Sequence, residues 1–90
     1  MATPRQIRAA RALLGWSQQE LADRAVVSVN SVGRIETALE EAELERHAAS
    51  HFRVMRALRA AGIEFLTRGE GVRFAGRPPP PGPSAADGSP

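Results

Sequence analysis

The stretch that most constrains this chain runs from Ser17 to Glu36, Ser-Gln-Gln-Glu-Leu-Ala-Asp-Arg-Ala-Val-Val-Ser-Val-Asn-Ser-Val-Gly-Arg-Ile-Glu. It holds two helix starts within one short segment. Ser17 is a capping residue with Glu20 three positions later, the pattern of a capping box. Ser28 is a second N-cap. Leu21, Ala22 and Ala25 share one face of the first helix. Val29, Val32 and Ile35 have helical spacing in the second, with Val32 and Ile35 facing inward. The segment reads as two short helices joined by a tight turn and crossing steeply. A small residue, Ala22, is needed where their backbones approach.

The pattern Ser-Gln-x-x-Leu-Ala-x-x-Ala-x-Val-Ser-x-x-x-Val-x-x-Ile-Glu resembles the helix-turn-helix of the phage-repressor-like family, the XRE or Cro-repressor type. With its flank the resemblance covers about Ile7 to Glu36. It implies a mainly α fold, a repressor-like helical bundle that presents one helix to the DNA major groove. Carried over residue by residue, the base-reading positions match Val29, Asn30 and Arg34. Gln18 matches a position that anchors a phosphate, and Ser28 and Ser31 match contacts to backbone or bases. The resemblance also implies an ion pair between Arg11 and Glu36 that ties the first helix to the third. The alternative for Arg11 is a solvated side chain. The sequence departs from the family twice: Val26 stands where the turn usually has Gly, and Thr37-Ala38 follow Ile-Glu where a Gly-containing turn is usual. A β-branched residue at positive φ is unfavourable, so strain or an altered turn is expected at Val26.

Ahead of this motif, Thr3-Pro4-Arg5-Gln6 opens a helix: Thr3 caps, Pro4 suits the first helical position, and Gln6 closes a capping box. Ile7, Ala10, Leu13 and Leu14 supply its apolar side, and Gly15 ends it. Trp16 either packs at the helix junction or lies exposed beside a ligand. The packing role is the expected one for a large aromatic.

Beyond Glu36, Thr37-Ala38-Leu39-Glu40 reads as another capping box. The acidic run that follows, Glu40, Glu41, Glu43 and Glu45, suits a helix start. It is expected as a solvated face; a docking patch for a basic partner, or one that repels DNA, is the alternative. The region is either one continuous helix or two broken near Ser50. Phe52, Val54, Met55, Leu58 and Ala61 form an amphipathic pattern with Gly62 as its cap. Arg53, Arg56 and Arg59 lie on the other side, expected as a solvated basic face; contact with DNA is the alternative. His47 and His51 sit at i and i+4 with Glu43 one turn earlier, a spacing able to chelate a metal. No fixed further ligand is evident, so both are expected as partly exposed helical histidines with no metal.

After Gly62 the periodicity changes. Ile63–Leu66 and Val72–Phe74 are short β-prone runs around the turn Arg68-Gly69-Glu70-Gly71. A lone two-stranded hairpin is marginal in water. The strands are expected to pair with a second copy, burying Ile63, Phe65, Val72 and Phe74 across a two-fold. Folding back on the chain's own helices is the alternative. From Arg77 the chain is Pro-rich and low in complexity, a tail with polyproline II and disordered character. The expected organisation is a DNA-binding domain over 1–62, a strand segment for dimerisation over 63–76, and a disordered tail over 77–90.

Composition narrows the function. Ninety residues support one small core. There is no Cys, so no disulfide or Cys-based zinc site. Every basic residue is Arg, and the net charge is only +2, with basic, acidic and basic blocks in succession along the chain. No apolar run approaches the roughly 20 residues of a membrane span, and no signal-peptide pattern opens the chain; a cytoplasmic protein without membrane association is expected. No catalytic constellation, nucleotide-binding loop or cofactor site is present: Ser17, Ser28 and Ser31 have no His–Asp relay. The expectation is a sequence-specific regulator binding double-stranded DNA. It is read as a dimeric repressor on an inverted repeat. The alternatives are the antitoxin half of a toxin–antitoxin pair, with a toxin as partner, and an interaction module that no longer binds DNA.

Overall fold

A computed structural model describes residues 2–66 and 71–74. Five helices lead into a hairpin: α1 (Pro4–Leu14), α2 (Gln18–Ala25), α3 (Val29–Thr37), α4 (Glu41–Glu45), α5 (Ala48–Ala60), β1 (Ile63–Phe65) and β2 (Val72–Phe74). The turn at 67–70 and the Pro-rich tail lie outside the described residues.

The first three helices start where their side chains dictate. Thr3 Oγ1 accepts from Gln6 N, and Gln6 Oε1 accepts from Thr3 N. Ser17 and Glu20 make the same reciprocal box on α2. Ser28 Oγ accepts from Ser31 N on α3. Each satisfies backbone donors that a helix N-terminus leaves unpaired. Gly15, at φ 71°, ends α1. Val26, at φ 59°, ends α2, with Val27 N donating to Ala22 O and Val26 N to Asp23 O. That is the Schellman pattern, ordinarily completed by Gly. The family's turn geometry is therefore kept and the valine bears the strain. Its side chain is 74% exposed, so burial does nothing to offset it.

One core joins every layer: Ile7 and Ala10 of α1, Leu21 and Ala22 of α2, Val32 and Ile35 of α3, Leu44 of α4, Val54 and Leu58 of α5, and Ile63 of β1. Ala22 is fully buried, consistent with close packing between α2 and α3. Trp16 is half-buried against this core, with the Arg24 guanidinium 4.3 Å from its ring centroid. Leu13 points outward, 45% exposed, because the inward stripe of α1 runs through Ile7, Ala10 and Leu14.

The middle of the chain departs from the sequence reading. Thr37 does not cap a new helix. It is the last residue of α3, and its hydroxyl donates back to Gly33 O. Glu40 precedes α4 without a side-chain cap. The break before α5 falls at Arg46–His47, not at Ser50. The inward face of α5 is His51, Val54 and Leu58, while Phe52 is 61% exposed. His51 is thus buried, contrary to the expected exposed histidine. Its Nε2 lies 2.9 Å from Ala2 O, so the ring fastens the N-terminal segment to α5.

The two strands pair with each other, antiparallel, in the register Ile63↔Phe74, Glu64↔Arg73 and Phe65↔Val72. Ile63, expected at a contact between copies, is buried in the chain's own core. Phe65, Val72 and Phe74 are half-buried against it. Gln6 holds the hairpin down: its Nε2 donates to Leu66 O at 2.8 Å and to Gly71 O at 2.9 Å. One buried amide thus closes the α1 cap and clamps both strand ends.

Candidate DNA-reading face

α3 is positioned by a polar knot around Glu36. This carboxylate is almost fully buried, 1% exposed, and a buried charge must be paired. Arg11 Nε lies 2.8 Å from Glu36 Oε2 and Arg11 Nη2 lies 3.0 Å from Oε1, the bidentate geometry that guanidinium and carboxylate favour. The hydrogen bond to Glu36 raises the Arg11 pKa further above its ordinary value, against an opposing effect of partial burial. Arg11 Nη1 also donates to Trp16 O. Gln18 Nε2 donates to Glu36 Oε1 at 3.0 Å, and Arg8 Nη1 donates to the Glu36 carbonyl. α1 and α2 are bonded directly to the last turn of α3, and Arg11 ties in the α1–α2 corner through Trp16 O.

With Val32, Ile35 and Glu36 turned inward, the opposite side of α3 faces solvent. Ser28, Val29, Asn30 and Arg34 are exposed, and Ser31 and Gly33 are half-exposed. The Ser28 hydroxyl is committed to the cap and donates to Ser31 Oγ at 3.0 Å. Among the described residues, no side-chain hydrogen bond or ion pair engages Asn30 or Arg34. A Cβ added at Gly33 would meet nothing within 4 Å, so the chain's own packing does not require glycine there. Gln18, half-buried, lies at the start of α2, its amide bonded to Glu36 on the inward side of α3.

The sequence pattern did not single out Arg8, whose contact is to a backbone carbonyl, or the Trp16 carbonyl. No spacing marks a side chain that bonds main-chain oxygen across the fold. His47, His51 and Glu43 do not form a metal cluster: no group of three or more His, Asp or Glu able to hold an ion occurs among the described residues. In those residues no helix is long and apolar enough to cross a membrane.

A two-helix motif with an exposed second helix, locked from behind by a buried Arg–Glu pair, defines a helix-turn-helix protein. Residues 7–46 match the helix-turn-helix family model. This part of the chain is a helix-turn-helix of the XRE or Cro type, a domain found in DNA-binding regulators. No curated protein matches the chain.

Proposed function

We propose that the protein is a dimeric repressor that reads an inverted-repeat operator through α3. The observation that carries this reading is the exposed, uncommitted set Val29, Asn30 and Arg34 on a helix rigidly fixed by Glu36. Arg pairs bidentately with guanine, Asn with adenine, and an apolar side chain meets a thymine methyl. Ser28 and Ser31 lie at the N-terminus of α3, where hydroxyls and backbone N–H groups meet phosphate or base edges. Gln18 anchors a backbone phosphate at the start of α2 while its amide holds Glu36. Occupying a promoter blocks polymerase sterically.

The dimer reading has a separate basis. One recognition helix reads few base pairs, too few to select a site in a genome. A two-fold pair doubles the readout and sets half-sites about 10 base pairs apart, or a multiple. Residues 1–62 are the DNA-binding part in this reading, and 63–76 the part through which copies associate. Among the described residues the sheet has two strands, β1 and β2, and Phe65, Val72 and Phe74 are incompletely covered. Edge pairing through these residues supplies the contact, while Ile63 anchors the hairpin to its own core.

Selection of bound sites from a random duplex pool with the purified full chain tests the reading. A recovered inverted repeat supports the dimeric repressor. A single unrepeated half-site removes the dimer, and no enrichment removes DNA recognition. Affinities on single-base variants of that site then separate roles. Arg34→Ala relaxes preference at one base pair per half-site, at a cost of about 1–3 kcal/mol, whereas Gln18→Ala weakens all sequences alike.

A further inference from the structure

A groove runs along the side of the molecule where α5 packs on the C-terminal end of α2. One part of it, a cleft of about 420 Å³, is floored by Ala25, Ala57 and Ala60 and rimmed by Arg24, Arg53 and Arg56, with Val26 at its end. A second cleft of about 310 Å³ shares Arg24, Ala57 and Ala60 and extends the groove to Trp16. Three arginines and no carboxylate line the first cleft. The floor of alanine methyls is shallow and lets a bulky, charged ribbon approach the guanidinium groups.

The rim is ordered, and it is tied to the recognition helix. Arg53 Nη1 donates to Val26 O at 3.2 Å, two residues before the Ser28 cap of α3. Its remaining N–H groups have no partner among the described residues. The Arg24 guanidinium carbon lies 4.3 Å from the centroid of the Trp16 ring, and that of Arg56 sits 6.0 Å from the centroid of the exposed Phe52 ring. Two of the cations thus approach aromatic rings and the third bonds a backbone carbonyl, and none of these contacts neutralises its charge. The adjoining N-terminus of α3 adds the positive end of its dipole. Together these features suit a polyanion that already lies against the start of α3.

We infer that Arg53 and Arg56, with Arg24 behind them, form a second phosphate-contact ledge that grips the backbone of the DNA flanking the bases read by α3. The inference rests on the DNA-binding reading of α3, and it assigns a role to an α5 face otherwise read as solvated. Such contacts position the duplex and carry no sequence information. Each phosphate neutralised releases condensed counterions and steepens the salt dependence of binding.

The test measures affinity for the selected operator against salt concentration, using the full chain and its Arg56→Gln and Arg53→Gln/Arg56→Gln variants. The expected result is a loss of about 1 from the magnitude of the log–log salt slope per arginine removed, with base preferences unchanged. A double Arg→Lys variant keeps the charge and restores the slope. The parent also binds more weakly to a duplex that ends at the last recognised base pair than to one extended at both ends; the double Gln variant does not distinguish them. Circular dichroism and melting of each variant establish that it is folded, and Arg56→Gln, which removes no backbone contact, decides the matter if the double variant is not. An unchanged slope with retained flank dependence overturns the inference while leaving operator recognition intact. Unchanged DNA binding with altered self-association instead assigns the groove to an acidic protein surface and equally overturns it. Failure of the parent to bind any DNA specifically overturns the reading of α3, and this ledge with it.

Discussion

The two halves of this molecule are held by different means. From Thr3 to Glu36, order is local first, with three N-caps and two left-handed helix ends, and a polar knot then ties α1 and α2 to Glu36 across 18 to 28 residues. From Glu40 onward, α4 and α5 begin without side-chain caps. The C-terminal half shares the common core, with α5 packed on α2, and is tied further by polar contacts reaching back to the N-terminal segment and α1, Gln6 to Leu66 and Gly71, and His51 to Ala2. A helix that must be presented rigidly to a partner is over-determined locally. The remainder needs only to be docked: α5 docks on α2 and the shared core, and Gln6 of the first helix clamps the hairpin.

The largest expected effect lies in the over-determined half. Arg11→Ala leaves the Glu36 carboxylate buried with only the Gln18 amide, and breaking a buried pair in this way costs roughly 3–5 kcal/mol. Because Arg11 retains some exposure, the lower end applies. Denaturant unfolding is the measurement. A loss below about 1 kcal/mol would show the pair to behave as a surface bridge, and the contrast between halves would lose its main support. Converting both partners to apolar residues is expected to recover much of the loss, since no charge is then stranded.

Next comes the dock. Gln6→Glu replaces the amide N–H groups with a carboxylate facing the carbonyls of Leu66 and Gly71. Leaving buried acceptors unpaired costs about 1–3 kcal/mol each. The loss should be uneven: amide exchange in 63–66 and 71–74 accelerates well before that in α2 and α3. Uniform acceleration would mean that the halves do not come apart, and that the hairpin belongs to a single cooperative unit.

This contrast also explains what was legible in the sequence. The caps at Thr3, Ser17 and Ser28 involve residues three apart, so spacing reveals them. Val26 was marked as a strained turn because a left-handed position follows from the family pattern. The Gln6 clamp spans 60 or more residues, and no local rule marks its far end. Gln6 was read only as half of a capping box, which it also is. The α5 face was misassigned because Phe52 is the more hydrophobic residue, yet the 51, 54, 58 stripe points inward. A neutral imidazole fits there by bonding Ala2 O. At Thr37 the capping-box pattern is present, but α3 runs on through Thr37, whose hydroxyl bonds back to Gly33 O. On α3 the pattern identified the exposed residues, whereas Arg8 was invisible because its acceptor is main chain.

Two smaller changes probe the first half from the stabilising side. Val26→Gly relieves a β-branched residue held at φ 59°. A gain of about 1 kcal/mol is expected, read as a higher Tm, with no loss of DNA affinity. Gly33→Ala should likewise stabilise α3, by up to about 1 kcal/mol, since its methyl meets no part of the chain. If Gly33 exists to let the sugar-phosphate wall approach, the same variant binds operator more weakly. A variant that is both more stable and fully active would show that the glycine has no such role.

The smallest effect concerns the latch at His51, and it is one of pH. Burial lowers the His51 pKa; the hydrogen bond to Ala2 opposes this, and the positive N-terminus adds to the lowering. The folded protein therefore resists protonation of this ring more than the unfolded chain does. Where the unfolded state binds more protons than the native state, stability rises with pH. The contribution of neutral His51 is thus fully present above the unfolded value near 6.5. It declines as pH falls through that value toward the lower folded one. His47, half-exposed at the start of α5, is the other histidine, so the difference between variants isolates His51. Melting the parent and His51→Gln at intervals from pH 7.5 to about 5 gives the comparison. The parent should lose Tm over that range, and the Gln variant, lower at pH 7.5, should lose less. The loss should appear first as release of the N-terminal segment around Ala2, visible as faster exchange of the first amides of α1 while α3 stays protected. Parallel pH profiles for the two proteins would show that the ring stays neutral-equivalent in both states, and that the contact with Ala2 is a packing contact without a proton attached to its energetics.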